Sequence, residues 1–413
     1  MQPRTKALTL LLVINLFNYV DRQILAAVVP LIQTDLHATN EAMGWTATAF
    51  LVSYMILAPL FGRLADRTGR WLLVAIGVAL WSLASGATGL ATTMTMLILT
   101  RCCVGVGEAA YGPTAPTLIS DLYAPARRGQ MLAYFYLAIP VGSALGYVLG
   151  GAVAARLGWR WAFWLVTPPG LLLAFWSSKM PEPQRGGADG LAAKPAEWRD
   201  YLVLMRNPSY ILDTLGLMAM TFAMGGVGFW MPTYVERLGT AGDLTHVNLI
   251  FGGILATGGL LGTLAGGWIG DRLRARFSGA YFLVCAAGMF AGFPAFIMML
   301  YTPFPWAWIW IFLGCFFLTL NTGPGNAILA NVTHPSIRAG AFAINILLIH
   351  ALGDAISPAL IGKIADVSSL KVGFLVMSVI MAIGGLLWLA GAAYLERDTD
   401  LALSTPSPRK AEG

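Results

Sequence analysis

The sequence predicts an all-α integral membrane protein, with twelve transmembrane helices in two pseudo-symmetric bundles of six. Three observations carry that expectation. Apolar residues make up 57% of the 413-residue chain and charged residues only 11%, whereas a soluble domain carries about a quarter charged residues. The apolar excess runs along the whole length, which excludes a soluble enzyme on a single anchor. Patterns from the first half of the chain also recur about half a chain later.

A spanning helix needs about 20 apolar residues. Twelve such segments can be placed, at 6–33, 40–66, 70–92, 94–122, 128–155, 161–180, 207–237, 246–271, 278–300, 306–333, 337–366 and 370–396. They are too long and too uniformly apolar for barrel strands. The first is read as a span and not a cleaved leader, because it is long, lacks a small-residue cleavage site and is interrupted by Asn15, Asn18, Asp21 and Arg22. The fourth carries Pro113 and Pro116, which predict a kink. The fifth carries Pro140, Gly142, Gly146, Gly150 and Gly151, a small-residue face suited to close helix contact.

The polar stretch Pro181–Arg206 divides the chain into bundles at 1–180 and 207–396, with a tail at 397–413. Trp198, Tyr201 and Leu202 lie among arginines there and fit either a short interfacial helix or a plain tether. In the seventh segment Phe222, Phe229 and Trp230 fit either an apolar substrate wall or ordinary packing. Asp213 is expected to reach the membrane interface. Trp306, Trp308 and Trp310 read as an interfacial belt. The tail after Glu396 is polar, contains two prolines and is expected to lack structure. Cys102, Cys103, Cys285 and Cys315 have no metal-ligand spacing and are expected to be buried free thiols, with no metal and no cofactor.

The net charge of +6 is not a nucleic-acid footprint, because its distribution follows topology. In the twelve-helix arrangement 19 of the 26 lysines and arginines fall on the side of the chain termini. Five fall opposite (Arg156, Arg160, Arg237, Lys363, Lys371), and Arg22 and Arg101 lie inside. The positive-inside rule then places both termini in the cytoplasm, and in a bacterium the inner membrane is the expected location.

Gly62-Arg-Leu-Ala-Asp66-Arg67-Thr-Gly-Arg70 follows the second segment, and Gly267-Trp-Ile-Gly-Asp271-Arg272 ends the eighth. Pro125-Ala-Arg-Arg128-Gly129 precedes the fifth, and Pro335-Ser-Ile-Arg338-Ala-Gly340 precedes the eleventh. Repeated halves are common in secondary transporters, with the site at their interface. Gly62, Asp66, Arg67, Arg70, Asp271 and Arg272 are therefore candidates for a cytoplasmic gate. In it Asp66 would accept from helix-start amides and Arg67 would supply a charged partner. The same charges also fit topology-setting residues at tight turns.

Ionisable groups at membrane depth are costly and mark ion and substrate paths. Asp21 and Arg22 sit near the middle of the first segment, and Arg101 and Glu108 in the fourth. Seven residues put Arg101 and Glu108 on one helix face. All four together sum to zero charge, so a neutral buried cluster is tolerable. Asp21 and Glu108 are the candidate proton carriers. Arg22 and Arg101, with Asn18 beside them, are the candidate anion holders, since a guanidinium suits an anionic headgroup. A static ion-pair network is the competing reading. In the second half His350 and Asp354, one turn apart, complete the list of candidate substrate-binding residues.

Twelve helices with the Gly62–Arg70 pattern repeated near Gly267 resemble the major facilitator superfamily over essentially the whole chain. Within it, Asn18-Tyr-Val-Asp21-Arg22, Ser53-Tyr-Met-Ile-Leu-Ala-Pro59-Leu-Phe-Gly62 and Arg101-x-x-x-Gly105-Val-Gly107-Glu108-Ala-x-Tyr111 resemble the spinster-like lipid transporters. No comparable signature occurs in the second half. The resemblance implies alternating access and transport of an anionic amphiphile, such as a lysophospholipid or a sphingoid phosphate. It also implies that Asp21, Arg22, Arg101 and Glu108 are the functional charges. The expected partners are that substrate, protons and membrane lipids, with no nucleic acid and a monomeric chain.

Three rival readings stay open on sequence: a symporter of small organic anions, a multidrug/proton antiporter and an integral-membrane lipid enzyme. Two arginines at depth disfavour a cation substrate. His37, His246, His334 and His350 are scattered singly, with no nucleophile–base or metal constellation, which disfavours an enzyme.

Overall fold

In the computed structural model, which describes residues 3–65, 67–123, 125–183, 198–334 and 337–404, the chain is helical throughout with no strand among the described residues. Each of the twelve apolar segments is occupied by helix. Ten helices are long and apolar enough to cross a membrane by length and composition. The other two spans are the fourth, which is broken and carries Arg101 and Glu108, and the sixth, Trp159–Ser178, which carries two prolines and several tryptophans.

Several spans are interrupted where the sequence gives a reason. The first runs Pro3–Ala27 and resumes at Val29–Leu36, with Pro30 in the opening turn of the second piece. The fourth runs Met94–Tyr111 and resumes at Thr114–Leu122, parted at Gly112–Pro113. Proline lacks the ladder donor, so the break falls there. The eleventh runs Arg338–Ile349, passes through a π turn at His350–Asp354 and continues as Ser357–Val367.

The chain clusters into two compact units. One comprises Met1–Ala192, Phe229–Ala256 and Pro358–Asp366; the other comprises Ala193–Gly228, Thr257–Ser357 and Val367–Gly413. In the first unit span 1 packs on span 5, span 2 (Asn40–Ala65) on span 4, and span 3 (Arg70–Thr88) on spans 4 and 6. In the second unit span 9 (Ala280–Met299) packs on spans 10 and 12.

Glycines set these approaches. A Cβ on Gly142 would lie 2.7 Å from the Leu16 carbonyl oxygen, and one on Gly146 2.6 Å from that of Val20. The small-residue face of span 5 (within Pro125–Leu157) is therefore spent against span 1. In span 4 a Cβ on Gly105 would lie 2.3 Å from the Phe50 carbonyl oxygen, and one on Gly107 2.5 Å from the Trp81 amide nitrogen. Span 4 is thus wedged against the backbones of spans 2 and 3. Gly62 is different: the nearest atom to its Cβ position is the Pro113 side chain at 3.9 Å, so no close backbone approach occurs there.

Three expectations need correction, and one open reading is resolved. Asp213 does not reach an interface; it is fully buried and accepts a 2.8 Å hydrogen bond from the Trp388 indole, which satisfies one of its oxygens inside the bundle. Cys103 is exposed, while Cys285 and Cys315 are buried and Cys102 is intermediate. The tail is helical over Leu395–Ser404, because buried Asp398 accepts from the Ser209 amide at 2.9 Å and caps the helix Pro208–Arg237. The stretch before span 7 holds a 3-10 turn at Trp198–Arg206, while residues 184–197 and 405–413 lie outside the described residues.

Gly107→Ala is expected to lower the detergent melting temperature, since overpacking against backbone costs about 1–3 kcal/mol. Gly253→Ala, with nothing within 4 Å of its Cβ position, should leave melting unchanged or slightly raise it. Equal melting of the two variants would contradict the wedge.

Candidate functional site

The four charges of the first half converge in the first unit, but not in the pairs that sequence neighbourhood suggests. Arg22 reaches across to Glu108, with Nε 2.7 Å and Nη2 2.6 Å from Oε2. Arg101 reaches toward Asp21, with Nη1 3.9 Å from Oδ2. Residues at i and i+1 diverge around a helix, and residues seven apart are separated by about 10 Å of rise, so each charge finds its partner on the other span.

The two pairs are unequal. Arg22 is 23% exposed and directs two N–H groups at one carboxylate oxygen of Glu108, itself 1% exposed. Asp21 and Arg101 are 3% and 2% exposed, and their separation is too long for a direct hydrogen bond. Asp21 instead accepts through Oδ1 from the Ser85 hydroxyl of span 3.

Aromatic rings surround the cations. The Arg22 guanidinium lies 5.0 Å from the Tyr19 ring centroid, 4.9 Å from that of Phe50 and 5.6 Å from that of Tyr54. Arg101 lies 5.4 Å from the other cation's neighbour, the Phe50 ring. Phe50 is held in place by the wedge of Gly105 on its carbonyl, which also accepts from Ser53 Oγ at 2.9 Å.

Buried polar atoms in this cluster lack partners. They are the donors Arg101 Nε and Arg101 Nη1 and the acceptor Asp21 Oδ2, while the Asn18 side chain lies against the Glu108 carboxylate. A buried polar atom without a hydrogen bond costs about 1–3 kcal/mol. Donors and acceptors are thus left open together at one place in the first unit. Neighbouring Asn15 is by contrast satisfied, donating to the Phe135 carbonyl at 2.8 Å.

The other predicted residues lie elsewhere. His350 and Asp354 are in the second unit, paired with each other at 3.0 Å within the π turn. Asp354 is thus not an isolated buried carboxylate. Gly225 and Gly353 bring spans 7 and 11 together around that turn, where a Cβ on Gly225 would sit 2.8 Å from Asp354 Cα and Thr221 donates to the Ile349 carbonyl at 2.9 Å. Phe222, Phe229 and Trp230 are all buried, and Trp230 donates to the Pro358 carbonyl at 2.8 Å.

Of the gate candidates, Asp66 lies outside the described residues. Arg67 is exposed. Arg70 is buried within the first unit, bound to Asp121 at 2.5 Å and Glu182 at 2.7 Å, so it joins the ends of spans 3, 4 and 6. Asp271 accepts from Tyr281 at 2.9 Å, and Arg272 lies over Trp268 at 5.5 Å.

The Major Facilitator Superfamily pattern matches residues 11–322. Protein spinster homolog 1 of Xenopus tropicalis is 36% identical over 427 residues, covering 94% of this chain and 80% of that protein. The chain belongs to the spinster branch of the major facilitator superfamily. Human spinster homolog 1 is 37% identical over 425 residues, with coverage of 93% and 80%. A crystal structure of a bacterial homologue of the human lysosomal transporter spinster, inward-facing and unoccupied, matches with a TM-score of 0.86 at 19% identity, covering 96% of this chain and 98% of that one. A D-xylose–proton symporter matches with a TM-score of 0.71 at 18% identity, with coverage of 92% and 96%. Both structural likenesses speak for the fold. This spinster-type chain is a multi-pass transporter and not an enzyme.

Residue patterns missed Ser85, Phe50, Tyr19 and Tyr54. Tyr54 lies within the Ser53–Gly62 stretch that carried the family resemblance, and Tyr19 lies between Asn18 and Asp21. A lone serine or phenylalanine in an apolar span carries no such signal.

Arg22→Gln leaves the Glu108 carboxylate buried without its cation, which costs about 3–5 kcal/mol. The double variant Arg22→Gln with Glu108→Gln is expected to regain most of the lost melting temperature. Equal loss in single and double variants would deny the pairing.

Proposed function

We propose that this spinster-type transporter moves an anionic amphiphile by alternating access, coupled to a proton. The observation that supports it best is the pair of open donors on Arg101 beside the open acceptor on Asp21. With all four ionisable residues charged, the cluster is neutral. One proton on Asp21 or Glu108 makes it +1, and an anion restores neutrality. Proton and anion then enter the site together at lower cost than either alone, since an uncompensated buried charge is the expensive state.

An open apolar groove of about 450 Å³ in the second unit, lined by exposed Leu202 and Met205 with Ile211, Met218, Ile344 and Leu348 among others, suits an acyl chain and supports an amphiphile over a small acid. In this reading two six-helix bundles, 1–180 and 207–396, move against each other, with both termini in the cytoplasm. The Gly62–Arg70 and Asp271–Arg272 regions lie on the cytoplasmic side, and His350 and Asp354 serve the second bundle's part of the path.

The test is uptake of a fluorescent lysophosphatidylglycerol into proteoliposomes, with and without a pH gradient, for wild type and Glu108→Gln. Wild-type uptake is expected to follow the gradient and Glu108→Gln uptake to ignore it. Gradient-independent uptake by both proteins would end the coupling proposal. Uptake of benzoate in place of the lysolipid would favour the small-anion reading.

A further inference from the structure

We propose that Phe50 is a positioning residue that keeps the N–H donors of Arg101 available to an anion. The inference rests on the anion-transport reading and divides the two arginines by role. Arg22 is already engaged, with two N–H groups on Glu108 at 2.6 and 2.7 Å. Arg101 is equally deep, yet its Nε and Nη1 have no hydrogen-bond partner and its nearest carboxylate oxygen is 3.9 Å away. The electron-rich Phe50 face lies 5.4 Å from its guanidinium.

An aromatic face stabilises a cation without consuming any N–H group. A carboxylate in contact would consume those donors and neutralise the charge. Phe50 therefore steadies the buried Arg101 cation and leaves its planar donor fork, the geometry suited to a phosphate or carboxylate, open. The same ring lies 4.9 Å from Arg22, so one side chain sits against both cations. Remove the ring and the attractions left to Arg101 are the carboxylates of Asp21, the nearer in effect, and Glu108. Closing the 3.9 Å gap would then turn an anion receptor into a finished ion pair.

The experiment measures binding of lysophosphatidylglycerol to the purified full-length protein in nanodiscs, for wild type, Phe50→Leu, Phe50→Met, Phe50→Tyr and Arg101→Gln, with melting temperatures alongside. Loss of the ring face is expected to weaken binding about tenfold in Phe50→Leu and Phe50→Met. Phe50→Tyr, which keeps the face, should bind like wild type. Wild-type affinity in the two aliphatic variants, with binding lost in Arg101→Gln, overturns the role of Phe50 and leaves the anion site standing. Wild-type affinity in Arg101→Gln overturns the anion site itself. Weak binding in all three Phe50 variants with a matching fall in melting temperature reduces Phe50 to packing and overturns the proposal.

A second inference rests on separate contacts, at the end of the first unit where spans 1 and 2 meet the ends of spans 7 and 11. The Asp366 carboxylate accepts from the Asn40 amide at 2.9 Å, the Asn40 side chain at 2.6 Å and the Glu41 amide at 2.7 Å. These are the first two N–H groups of span 2, which a helix cannot satisfy by itself and whose partial positive charge favours an anion. Arg237 donates to Gln33 at 2.7 Å and to Asn40 Oδ1 at 2.8 Å. Gly362 and Gly44 allow the contact, since a Cβ on either would lie 2.4 Å from a backbone oxygen, that of Asn40 and of Pro358 respectively.

The geometry points to a latch in which Asp366 and Arg237 clamp the start of span 2 and must let go for this end of the transporter to open. Spin labels at Thr39→Cys and Lys363→Cys, in a background with the four native cysteines replaced, report the separation by pulsed EPR in liposomes. A short distance is expected with Asp366 present. Asp366→Ala should raise the share of a longer distance about tenfold, given three lost hydrogen bonds of which two are to backbone N–H groups. An unchanged distance distribution in Asp366→Ala, or only the long distance with Asp366 in place, overturns the latch.

Discussion

The cost of an unpaired charge in a low-dielectric interior governs this protein. Two carboxylates and two guanidiniums lie at mid-span in the first unit, and the arrangement is tolerable because they sum to zero. Everything near them serves that balance. Glu108 is neutralised by close contact with Arg22 and Asp21 by the more distant Arg101, while a serine hydroxyl stabilises Asp21 and aromatic faces stabilise the arginines. The balance is incomplete at the level of hydrogen bonds, and on that the proposed transport role of the cluster rests.

Positioning depends on what is missing from the chain as much as on what is present. Gly105 and Gly107 flank the turn before Glu108, and their lack of Cβ lets span 4 press onto the backbones of spans 2 and 3. That contact carries Phe50 and Ser85 to the charges from two different helices. Span 5 uses its glycines against span 1 in the same way. Small residues therefore act in this fold as placement devices for the polar groups, because in an apolar solvent helices associate through close packing and not through hydrophobic burial.

The halves have unequal chemistry. The first unit holds the four-charge cluster, whereas in the second Asp213 is tied to Trp388, and His350 pairs with Asp354 in a π turn. Spinster relatives align with most of this chain, so the asymmetry lies within a fold the family shares. The amphiphile proposed as substrate has the matching asymmetry, a charged head and an apolar body.

Sequence alone determined the membrane class, the twelve segments and the identity of the four charges, because each depends on local length, hydropathy or the cost of one ionisable residue at depth. It also marked the break at Gly112–Pro113, where proline acts on its own backbone. Only the tertiary structure decided which charge meets which. Partner choice depends on how spans rotate and slide against one another, and adjacent residues such as Asp21 and Arg22 leave the helix in different directions. The same reason hid Phe50 and Ser85, whose roles come from neighbours dozens of residues away. It also hid the capping of span 7 by Asp398, which gives a polar tail a reason to fold.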